Sequence, residues 1–76
     1  MNPMFALTLI KHGSSKKRTL NRLRRSIIFE ANYASRFGDF TSFYNEILYL
    51  IDQAEKNIDV EYYLKQAQYL YDNVPD

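Results

Sequence analysis

Between Ser14 and Arg25 the chain reads SSKKRTLNRLRR, and this stretch holds the residue types best suited to chemistry. Arg18, Arg22 and Arg25 recur at steps of four and three, a spacing that on an α-helix brings them to one side. Guanidinium groups in such a row neutralise phosphates or carboxylates, displace counterions, and make affinity fall steeply with salt. Lys16 and Lys17 stand at the start of the same segment, and Phe29 follows Arg25 by one turn, where a ring can wedge or stack. Nucleic acid is the sharper reading of the row; an acidic protein surface also suits it, and so does an anionic membrane, although the apolar stripe opposite is taken up by the core. The competing reading is that the basic segment faces the acidic half of its own chain and only braces it.

Catalysis finds poorer material, because it needs a poised acid, base or nucleophile converging with others. The single histidine, His12, sits beside Gly13 and reads as a solvated loop residue. Ser14 and Ser15 lack a nucleophile context, and GSSKK lacks the first glycine and the spacing of a phosphate-binding loop. Asp52 with Glu55, and Asp59 with Glu61, read as surface acids that solvate a helix or favour its N-terminus. With no cysteine and no carboxylate and histidine set at ligand spacing, neither a metal nor another cofactor is expected. The sequence therefore reads as that of a non-enzymatic protein.

The 76 residues make one domain, and seven Tyr and five Phe help supply a core. A core this small rarely yields more than about 3 to 5 kcal/mol unaided. Without disulfide or metal, self-association as a homodimer is the expected support. The net charge of +1 conceals a division. Through Arg36, eight cationic side chains face one carboxylate, Glu30, a balance of +7; beyond it Lys56 and Lys65 face eight carboxylates, a balance of −6. Such asymmetry accompanies binding to anionic partners. The apolar run Met4 to Ile10 precedes the basic residues, the reverse of a secretory signal, and is too short to span a bilayer. A cytoplasmic setting and no membrane partner are expected.

These residues must be positioned by the elements around them. Residues 1–13 run from Pro3 to Gly13 with Phe5, Leu7 and Leu9 at alternate positions, which suits a short extended arm. The options are a β-arm pairing with its copy in a dimer, a short helical turn packed on the bundle, or an arm ordered by a partner. The domain proper, residues 16–76, is expected to be all-α with three helices. The first runs from Lys16 to Phe37 and stops at Gly38, with Leu20, Leu23, Ile27, Ala31 and Ala34 inward. Arg18, Arg22, Arg25, Phe29 and Arg36 lie nearly opposite, with Tyr33 beside them. The second starts after Asp39 or Thr41 and continues to about Asn57, its broad apolar face including Phe40 and Ile58. The third follows Asp59, packs Val60, Tyr63, Leu64, Ala67, Leu70, Tyr71 and Val74 inward, and ends at Pro75. Tyr62 and Tyr69 lie on its other side and Tyr49 points outward from the second helix; these amphipathic side chains suit a protein interface.

The run Gly38-Asp39, Asn45, Ile47-Leu48, Leu50-Ile51, Glu55 and Asp59 resembles the small enterobacterial connector proteins that regulate biofilm formation and acid resistance through a two-component phosphorelay. The likeness covers the hairpin 38–59. It implies an all-helical homodimer that acts on a transcriptional regulator or on DNA without catalysis. The basic Lys16–Arg25 segment lies outside that pattern, so DNA binding does not follow from it. The resulting expectation is a small regulatory protein acting through a basic helix face.

Overall fold

The computed structural model describes residues 1–73, in four helices: α1 (Pro3–Lys11), α2 (Lys16–Ala34), α3 (Thr41–Lys56) and α4 (Val60–Asp72). The positions expected for Val74 and Pro75 lie outside the described residues. The architecture is all-α, but the helices number four rather than three, because the expected extended arm is itself helical.

Three local features make residues 3–11 a helix. The Asn2 side chain accepts a hydrogen bond from the Phe5 N–H at 2.8 Å, satisfying one of the amides that a helix start leaves free. Pro3 occupies the first turn, where its missing N–H costs nothing. At the other end Gly13 adopts φ +101°, so that its own N–H reaches the Ile10 carbonyl and the Ser14 N–H reaches that of Leu9. That pair of bonds is a Schellman cap. Pro3, Ala6 and Leu7 are buried, with Met4 and Ile10 packed beside them, while Phe5 points to solvent. The burial pattern has helical spacing, and the Phe5, Leu7, Leu9 alternation plays no part in it.

α2 starts at Ser15, whose hydroxyl accepts from the Arg18 N–H. Its Leu20, Leu23 and Ile27 are fully buried. It ends at Ala34 rather than Phe37, because the Arg36 and Phe37 amides bond three residues back in tighter turns. Gly38 does not take the left-handed conformation expected of a terminator; among the described residues Gly13 alone has positive φ. At the start of α3, Asp39 accepts from the Thr41 N–H, with Phe40 at the cap position. Tyr44, Ile47, Leu50, Ile51 and Ala54 form its buried stripe. Ile58, expected on that stripe, is instead 100% exposed in the three-residue link to α4. Asp59 caps α4 by accepting from the Tyr62 N–H, and Leu64 and Ala67 anchor that helix in the core.

Each helix packs on its sequence neighbours, and α4 closes back on α1. The pairings run in opposite directions. Met4 bonds to Gln68 and Lys11 pairs with Glu61 between α1 and α4, while Lys16 reaches Asn57 and Arg24 reaches Glu55 and Asp52 between α2 and the α3 end. The result is an up-and-down bundle. α1 is about 14 Å long and α2 about 28 Å at 1.5 Å per residue, so α1 covers only part of its neighbour.

Gly13→Ala tests the cap that defines α1. No atom lies within 4 Å of the added Cβ, so the cost is that of a side chain at positive φ. A loss of about 1 to 2 kcal/mol is expected, read as a fall in melting temperature of about 4 to 8 °C per kcal/mol.

Candidate functional site

Burying Leu20, Leu23 and Ile27 turns the opposite side of α2 to solvent. Arg18, Arg22, Arg25 and Phe29 are exposed there, followed by Tyr33 and Arg36, with Phe37 past the helix end; Lys17 is exposed on the flank near Arg24. From Arg18 to Tyr33 the ridge extends about 22 Å. Among the described residues, none of Lys17, Arg18, Arg22 and Arg25 pairs with a carboxylate.

The other cations are engaged. Lys16 is drawn off the ridge: it lies on the inner side of α2 and its Nζ donates to the Asn57 carbonyl at 2.8 Å, where α3 leaves its last carbonyls free. Arg24, which the sequence reading passed over, points sideways to α3. It donates to Asn21 at 2.6 Å and to Glu55 at 3.2 Å, with Asp52 at 3.8 Å. The signal for it was the Asp52 and Glu55 pair at a three-residue step on the facing helix. Lys56 also pairs with Asp52, and Lys11 and Lys65 share Glu61. Those two lysines hold the Glu61 carboxyl well below its ordinary value, at about 2, with Lys11 the stronger cause.

The aromatic end of the ridge has its own geometry. Phe29 is 74% exposed. The Tyr33 ring lies 5.4 Å from that of Phe37, and the Arg36 guanidinium sits over Tyr33 at 5.6 Å, so Arg36 stacks on its own helix. Shallow grooves flank this end. One, of about 280 Å³, lies towards α3 between Ile28 and Leu48; the other, of about 360 Å³, is lined by Phe29, Glu30, Tyr33, Ala34 and Tyr44. Beside it the Tyr71 hydroxyl donates to Glu30 Oε1 at 2.7 Å, bridging α4 and α2. Glu30 Oε2 is buried with no partner among the described residues. Burial, followed by the bond to Glu30, pushes the Tyr71 hydroxyl up to about 12. Burial also raises Tyr44, with the Glu30 charge adding to it.

The expected interface tyrosines are exposed, and Tyr62 and Tyr69 share one side of α4 about 10 Å apart along its axis. Tyr69, 70% exposed, borders a groove with Glu46, Leu50 and Lys65. Tyr62 borders a different groove with Lys56 and Ile58 and packs edge-on against Tyr63 at 5.1 Å. Tyr49 stands on α3, and among the described residues the three make no aromatic pair with one another. His12 is exposed at the end of α1, and Ser14 and Ser15 lie in the following turn. No group of three or more carboxylates and histidines among the described residues is placed to hold a metal ion. No helix among them is long and apolar enough to cross a membrane. Comparison with protein-family models, with curated proteins and with solved structures finds no match.

The Tyr71 bridge sets an alkaline limit. Its hydroxyl ionises near 10 unfolded and at about 12 folded. The folded state therefore keeps a proton that the unfolded state releases, and the contribution is intact below pH 10 and lost as pH rises towards about 12. Melting temperature followed between about pH 9 and 12 should fall less in Tyr71→Phe than in wild type, relative to each protein's neutral value.

Proposed function

We propose that this chain is a small non-catalytic regulatory protein that binds a protein partner or a nucleic acid through the outer face of α2. The observation that carries the reading is the sorting of cations. Lys11, Arg24, Lys56 and Lys65 pair with the protein's own carboxylates, whereas Arg18, Arg22 and Arg25 point to water without such a partner among the described residues. An uncompensated row of guanidiniums attracts an anionic surface and makes binding dependent on salt. The brace reading, a structural or assembly adaptor, draws its support from Arg24 and Lys16 alone.

The hairpin's resemblance to connector proteins favours a transcriptional regulator as the partner, in the cytoplasm. Self-association as a homodimer belongs to the same reading, with Tyr49, Tyr62 and Tyr69 serving a protein interface because large amphipathic side chains favour such contacts.

Two experiments test these surfaces. Wild type should be retained on immobilised heparin and released by salt, and the triple change of Arg18, Arg22 and Arg25 to Ala should pass through with its melting temperature within about 2 °C of wild type. Arg24→Ala should do the opposite, keeping retention while losing about 1 kcal/mol, or about 4 to 8 °C. A triple variant that melts far below wild type would establish the brace instead. For the second surface, sedimentation velocity over a range of concentrations should show a dimer that Tyr62→Ala with Tyr69→Ala converts to a folded monomer. A wild-type protein that stays monomeric throughout removes the self-association claim.

A further inference from the structure

We infer that the anionic partner of the α2 ridge is a single-stranded nucleic acid, with phosphates along the arginines and unpaired bases on the rings beyond them. The inference rests on the reading of that ridge as an anion-binding face. Arg18, Arg22, Arg25, Phe29 and Tyr33 follow one another along the exposed side of one helix, each three or four residues beyond the last. Each step advances about 4.5 to 6 Å along the axis, longer than the roughly 3.4 Å rise of a stacked strand. Such a row suits a strand drawn out with its bases splayed.

The rings decide between partners. Phe29 projects from a convex ridge with most of its surface in water, and Tyr33, with Arg36 over one face of its ring, is exposed one turn further on. In a duplex the faces of the bases are closed within the stack, so these rings would meet sugar and phosphate. An unpaired base offers a face to an aromatic side chain whatever its identity, while arginines track its backbone. The groove of about 360 Å³ bordered by Phe29, Tyr33 and Tyr44 adds a place for one heterocycle beside the ridge. An acidic peptide would satisfy the guanidiniums but supplies no regular partner for the rings. A strand carries phosphate and base at every step and so matches both halves of the row.

The test uses fluorescence anisotropy on the full chain with four polyanions: oligo-dT and oligo-U of about 15 nucleotides, a duplex of the same length, and poly-glutamate. Both single strands should bind, and over about 50 to 200 mM salt log K should fall with log salt at a slope near −2, about −0.7 for each of three phosphates. Phe29→Ala and Tyr33→Ala should each weaken single-strand binding about fivefold or more, with the slope unchanged and the helical signal retained. The triple arginine variant should flatten the slope. Duplex or poly-glutamate binding as tight as that of the strands, or strand binding indifferent to both ring variants, would overturn the single-strand inference and leave the anion-binding face standing. Failure of all four polyanions to bind would overturn both.

Discussion

The burial of Leu20, Leu23 and Ile27 fixes the rotational setting of α2, and the placement of every charged group on that helix follows from it. Removing three such side chains from water is worth about 1.5 to 3 kcal/mol each, whereas an exposed ion pair is worth roughly 0 to 1 kcal/mol. The apolar stripe therefore chooses the orientation and the charges accept the result. At 100° per residue, Arg18, Arg22 and Arg25 must point away from the core, Arg24 must lie beside α3, and Lys16 must sit on the inner side at the helix entrance. The same constraint gives one arginine a structural role and three neighbours a free surface.

Helix length then divides the outer face in two. α1 packs beside the first half of α2, where the Met1 amino group meets the Ser26 hydroxyl, and is too short to continue. Past that point α4 reaches α2 through the Tyr71 to Glu30 hydrogen bond. Among the described residues Phe29, Tyr33 and Tyr44 border an open groove on that side. The arginines occupy the half of α2 braced from both sides and the rings the half that is less covered. Cations and rings share a ridge because the inner stripe sets its phase, and they are segregated along it by their order in the chain.

What could be read from the sequence follows the same physics. Three helices, and the start of the last behind Asp59, were legible, since apolar residues at helical spacing behind a capping side chain leave few alternatives. The outward arginines were legible for the same reason. Residues 3–11 were not, because a seven-residue apolar run fits periods of two and 3.6 alike, and Asn2, Pro3 and Gly13 as a matched set of helix signals decide the matter. Ile58 was misplaced by extending a stripe past the helix end, and Gly38 by expecting a left-handed terminator after the first long helix. The partners that Lys16 and Arg24 meet, and the place of Tyr49 relative to Tyr62 and Tyr69, depend on the register between helices, which the periodicity of a single segment does not contain.

Folding also converts the charge division of the sequence into something narrower. Asp52 serves Arg24 and Lys56, Glu55 serves Arg24, and Glu61 serves Lys11 and Lys65, so three carboxylates occupy four cations. The Arg24 and Lys11 pairs join the basic and acidic halves and draw positive charge from the flank of α2 and from α1. They leave the ridge itself untouched, because its side chains point away from every helix that carries the acids. A chain with a net charge of +1 thus presents one uncompensated cationic line, concentrated by the removal of its neighbours. The local field there reflects Arg18, Arg22 and Arg25 far more than the overall charge, and it leads directly onto exposed aromatic rings.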